Sequence, residues 1–239
     1  MIYLLAAADP LEHVLPHRIG SFILGGHEIV VTNQMLMAAV AAVLMILIFP
    51  VLFRKVDTEA PRGARNFLEA ILSFLREDVI RPSLKENTDR FVPFLWSLFF
   101  FILICNLLGL VPAFESPTAV PSVPLGCAIV AFCYYNYQGV KAQGGLNYAK
   151  HFAGPMPALA PLMIPIELIS HLARMLSLTI RLFANMFAGD MVTLVFFSLV
   201  PIGVPIIFLG LHIGVSFLQA YIFVLLTTVY LSGAVAHEH

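Results

Sequence analysis

The chain has 239 residues, of which 60% are hydrophobic and only 11% charged, with a formal net charge of −1 and a mean hydropathy of +0.92. Such a composition excludes an ordinary soluble domain and points to a polytopic membrane protein. No basic run suggests nucleic acid as a partner, and the cysteines, Cys105, Cys127 and Cys133, sit in apolar segments without CxxC spacing.

Residues 1–30 are mixed, carry one basic residue, Arg18, and are expected at the membrane surface. The opening MIYLLAAADP lacks a basic n-region and is too short for a signal peptide. A first span is expected over 34–53, capped by Asn33 and closed by Arg54 and Lys55. Residues 54–90 hold eight of the thirteen Lys and Arg. Within them, Leu68, Ile71, Leu72, Leu75 and Val79 recur at helical spacing opposite Arg65, Glu69, Arg76 and Asp78. That pattern predicts an amphipathic helix over 64–81, lying on the membrane surface.

A second span is expected over 91–111, with Pro93 in its first turn, Trp96 near the interface and Asn106 as its one strongly polar residue. A third, over 122–138, ends in Tyr134, Tyr135 and Tyr137, which read as an interfacial aromatic belt. A Gly- and Pro-rich loop, 139–160, carries Lys141 and Lys150. A long helix over 162–200, a turn at 201–205 and a last helix over 206–233 complete one membrane domain spanning 1–239. The expected fold is therefore an all-α membrane protein. Five helices are embedded, the last two as a long, steeply tilted hairpin, and one amphipathic helix lies on the cytoplasmic surface. Loops 54–90 and 139–160 hold ten Lys and Arg, whereas 112–121 and 201–205 hold none. The positive-inside rule then puts the N-terminus outside and the C-terminus in the cytoplasm.

The long helix organises the rest. No proline interrupts it between Pro165 and Pro201. Its roughly 39 residues extend about 58 Å, against about 30 Å of bilayer hydrocarbon. It stays in the membrane only by tilting far beyond the usual ~20°, as wrapping against a curved protein partner would require. Arg181 stands at its midpoint, where a charge costs about 2.5–3.5 kcal/mol by insertion scales. Snorkelling is the competing reading, but water lies roughly 15 Å away, beyond the reach of a guanidinium stem. Arg181 thus calls for an anionic partner. At about 100° per residue, Glu167, Ser170, Arg174, Ser177 and Asn185 all fall within about 40° of it, whereas Asp190 points about 180° away.

Counted from the 201–205 turn, Asp190 and His212 fall within about 6 Å of one depth. His212, Ser216, Gln219 and Tyr230 share one face of the last helix. Titratable groups therefore sort into two sets with an arginine between them, as a proton relay needs. The plainer alternatives are a core histidine at 212 and a neutral core acid at 190. His171, beside the stripe, reads as a packing residue, and His13, His17, His27, His237 and His239 as solvated surface groups. HEIVV at 27–31 is not HExxH, so no metal is called for, nor any cofactor.

The stretches FFFILICNLLGLVP (99–112), SLTIRLFANMFAGD (177–190) and HIGVSFLQAYIFVLLTTVYLS (212–232) resemble the signature regions of subunit a of bacterial F-type ATP synthases. The resemblance covers most of residues 65–239. It implies a non-catalytic, proton-translocating stator subunit of the cell inner membrane, pressed against a rotating ring of c subunits and held by peripheral stalk b subunits. By that resemblance, Arg181 is the essential arginine facing the ring carboxylates and Asn185 its companion. Glu167, Ser177, Asp190, His212 and Gln219 line the ion path, with Asn106 and Tyr230 nearby; Ser170 and Ser216 extend the two polar faces. Some members carry an extra acid three residues after the Asn106 position, where this chain has Gly109. Two other classes compete. A proton-coupled secondary transporter would show two related halves with broken helices, and an intramembrane hydrolase a GxSxG elbow or paired zinc ligands; neither pattern is present.

Overall fold

The computed structural model describes residues 18–24, 27–53, 63–111, 114, 116–144, 160–199 and 203–235. The expectations for Arg54, Lys55, Lys150, His13, His17, His237 and His239, and for the first two residues of the turn at 201–205, fall outside these residues.

The first described element is a departure from an all-helical chain. Strands β1 (Arg18–Leu24) and β2 (His27–Thr32) form a two-stranded antiparallel hairpin, with Ser21 opposite Val30 and Phe22 opposite Ile29. Its strands are too short and too mixed to stand out from a surface loop by alternation alone. β2 runs directly into helix α1 (Asn33–Phe53), whose Ile46 and Leu47 remain more than half exposed. Such an all-round apolar, little-buried helix suits lipid on most of its sides.

The segment after α1 begins as helix α2 (Ala64–Phe74) and passes into a π-helical turn, Leu75–Ile80. A short helix, α3 (Arg81–Leu84), and a 3₁₀ turn, Lys85–Asn87, follow. The wider π turn shifts the side-chain register, so Leu75, Val79 and Ile80 are all buried. The apolar side expected to face lipid thus packs, from Ile71 onward, against protein. Lys85, at φ 47°, makes the corner into helix α4 (Thr88–Leu108). Arg76 bridges that corner to Asp89 at 2.5 Å, and Arg81 pairs with Glu77 one turn back along its own segment.

Helix α4 is the central pillar. Phe91, Leu95, Phe99 and Ile102 are fully buried along it, and it packs on α1 and on the last helix. A 3₁₀ turn, Pro117–Ala119, leads to helix α5 (Ser122–Gln143). Two of the three tyrosines read as an interfacial belt pack against the protein, one buried and one half-buried. Tyr135 is buried and Tyr134 stacks on Phe94 with ring centroids 3.7 Å apart, leaving Tyr137 exposed. Their face of α5 is the one that meets neighbouring helices, which the aromatic cluster alone does not disclose.

Helix α6 (Ala160–Leu199) is unbroken over 40 residues, about 60 Å, with Pro165 in its first turns. Helix α7 (Val204–Val235) turns back along it for 32 residues. The two pack together, and both pack on α5. Among the described residues, four helical stretches are long and apolar enough to cross a membrane: Asn33–Pro50, Asn66–Leu108, Pro161–Phe196 and Ile206–Val235. The more polar α5 lies among them.

Candidate functional site

The α6–α7 hairpin and α4 together position most of the polar side chains. Leu178, Leu182 and Met186 bury one face of α6, and Ala220, Val224 and Leu231 one face of α7. With those faces locked, the remaining side chains are carried to fixed levels along the hairpin.

Toward the α6–α7 turn, His212 is buried and its Nδ1 stands 3.7 Å from Asp190 Oδ1. Gly189 makes that approach possible, because a Cβ there would lie 3.1 Å from the imidazole ring. One turn along α7, Ser216 is fully buried, with its hydroxyl over Met186 Sδ at 4.0 Å. Asn106 Nδ2 donates to the Ser216 carbonyl at 3.2 Å, while its Oδ1 accepts from Thr118 Oγ1 at 2.7 Å. Ser116 and Thr118 share a hydroxyl–hydroxyl bond of 2.9 Å. Gly109 faces Ser116 so closely that a Cβ would fall 2.5 Å from the serine Cβ. In this chain the space an acid would need at 109 is therefore taken by the 116–119 turn.

At the middle level, Asn185 Nδ2 donates to Gln219 Oε1 at 2.7 Å, tying the two long helices together. Arg181 lies one turn away, half-buried, and reaches Ser177 Oγ only at 3.4 Å. Among the described residues no carboxylate comes within ion-pair distance of its guanidinium. It is a cation at midspan without a counter-ion among the described residues.

Toward the start of α6, Glu167 is about one-third exposed, and its Oε1 lies 3.3 Å from His171 Nε2. His171 Nδ1 is 2.9 Å from the Tyr135 hydroxyl of α5. The Arg174 guanidinium sits 5.2 Å above the Tyr230 ring of α7. Ser170 is half-buried on the same stretch, and Ser177 is exposed beside Arg181. His171 is thus held on both nitrogens by polar partners and is more than the packing residue its position beside the stripe suggests.

Two polar clusters therefore stand at opposite levels of one hairpin, with Arg181 between them. Glu167 and Asp190 are 23 residues apart on one helix, about 35 Å. Ser116, Thr118, Tyr135 and His171 were not marked by the helical period of the long hairpin. The first two lie in a loop, and the last pair meets only through the α5–α6 packing.

Residues 35–232 match the family model described as ATP synthase A chain. The chain belongs to that family. A protein described as ATP synthase subunit a from Solibacter usitatus is 54% identical over 209 residues, covering 87% of this chain and 88% of the relative. Its counterpart in Koribacter versatilis is 44% identical over 209 residues, 87% of this chain and 85% of that protein. The one in Sulfurihydrogenibium is 38% identical over 208 residues, 87% of this chain and 99% of that protein. Membership makes the chain a non-catalytic, proton-translocating stator subunit, multi-pass in the inner membrane.

Proposed function

We propose that this subunit conducts protons through two offset half-channels that meet at Arg181, and that it faces the carboxylates of a c-subunit ring. The N-terminus lies outside and the C-terminus in the cytoplasm, an orientation supported by the basic loops. Peripheral stalk b subunits hold the subunit still against the ring. In the synthesis direction a proton enters past His212 and Asp190, with Asn106, Ser216 and Gln219 lining the way, and neutralises a ring carboxylate. After the ring turns, the proton leaves along Ser170 and Glu167, past Ser177 and Tyr230. Arg181, with Asn185 beside it, stabilises the ionised ring carboxylate and repels a proton that would cross directly.

The observation that carries this reading is the midspan Arg181, half-exposed on α6 without a carboxylate partner among the described residues. An intramembrane cation of this kind needs an anion from elsewhere. A proton crossing releases about 2.3 kcal/mol per 100 mV, which drives rotation only if no direct route joins the half-channels. Lysine keeps the charge but deprotonates when desolvated, whereas arginine does not. Arg181→Ala is therefore expected to abolish ATP synthesis and to raise proton leak in vesicles stripped of the catalytic head. Arg181→Lys is expected to lose synthesis as well. Unchanged synthesis in Arg181→Ala would refute the proposal.

A further inference from the structure

The stripe on α6 accounts for Glu167 but leaves the buried imidazole beside it without a task. His171 is 7% exposed, and its two nitrogens meet two different protonatable groups, Glu167 on its own helix and Tyr135 on α5. A ring that served only to fill space would not need both. From Tyr135 the buried polar face of α5 continues one turn on to Gln138, whose Oε1 accepts from Arg90 NH2 at 2.6 Å. Arg90 is exposed at the start of α4. Polar side chains thus lead from the partly open Glu167, through the α5–α6 interface, to an exposed end of the bundle.

We infer that His171 is a proton-relay residue of the half-channel that contains Glu167, passing protons between Glu167 and the Tyr135 hydroxyl. The inference rests on the half-channel reading above and names a branch of it that runs inside the protein. In the outward step the protonated Glu167 gives its proton to Nε2 as the Nδ1 proton passes to the Tyr135 oxygen. The Tyr135 O–H proton goes on to solvent. Glu167 is left ionised, the tyrosine neutral and the imidazole neutral as its other tautomer; the starting tautomer returns when Nε2 yields its proton to water and Nδ1 takes one from water, with no net proton moved. One proton has moved from Glu167 to solvent. Imidazole suits this step because in its neutral form it carries one donor and one acceptor nitrogen.

The test uses the complete ATP synthase in inverted membrane vesicles and measures ATP-driven proton pumping. His171→Gln keeps a hydrogen-bonding side chain of similar reach but has no titratable nitrogen. His171→Phe keeps a ring, and Phe132 already packs edge-on there at 6.3 Å. Both are expected to slow pumping roughly a hundredfold or more in assembled complexes, within the span typical of a lost acid–base group. Tyr135→Phe should slow it in the same direction. In His171→Ala, added imidazole should restore pumping in a saturable way. Wild-type pumping by His171→Gln, or slow pumping by His171→Ala that imidazole leaves unchanged, would overturn the relay. Neither result touches the half-channel reading, which Arg181→Ala tests separately.

Discussion

Asn106 uses both ends of its amide, and that fixes the inner wall of the cluster near the α6–α7 turn. Its donor is held by the Ser216 carbonyl and its acceptor by Thr118, so α4, α7 and the 116–119 turn are joined at one side chain. Gly109 lets that turn come close enough to take part. Gly109→Ala is expected to destabilise the subunit by about 1–3 kcal/mol, because its Cβ would meet Ser116 inside a packed wall. The level of subunit in the membrane and its resistance to protease would report the loss. Combining Gly109→Ala with Ser116→Gly removes the nearest atom and should recover part of it. The sequence marks Asn106 as the one strongly polar residue of its span. The helical period carried no information about Thr118, whose position depends on how a loop folds back rather than on any repeat.

At the scale of elements, the α6–α7 hairpin was legible because two long apolar runs flank a proline-bounded turn, and residue counting from that turn ranks depths. Asp190 and His212 come to one level for this reason. The segment after α1 was less legible. Its apolar positions obey a helical period, but they pack against protein from Ile71 onward, and the π turn at Leu75–Ile80 adds Ile80 to the buried side. Nothing in the hydrophobic pattern marks such a turn in advance. The same segment presents Arg76, Glu77, Asp78 and Arg81 outward, with Arg76 bridging to Asp89. Arg76→Glu breaks that bridge and sets a third carboxylate beside Glu77 and Asp89. Retention of the peripheral stalk through detergent washing is expected to fall, while passive proton flow through stripped vesicles stays near wild type. The opposite pattern would assign this segment to the channel instead.

The whole molecule is built around an unfinished charge. A helix of 40 residues carries Arg181 half-exposed at its midpoint, and no described carboxylate answers it. The consequence reaches into biogenesis. Until the ring arrives, the newly inserted subunit holds a cation in lipid at a cost of about 2.5–3.5 kcal/mol, a sizeable part of the margin that keeps a protein folded. An orphan copy is therefore a natural substrate for the proteases that clear misassembled membrane proteins, and supply of one subunit becomes coupled to supply of the other. In cells that lack the ring, pulse–chase labelling should find Arg181→Leu surviving several-fold longer than the wild-type subunit. Equal lifetimes would mean that the unpaired arginine does not limit the orphan. The residue that keeps the finished motor from leaking would then double as the mark by which the cell recognises an unfinished one.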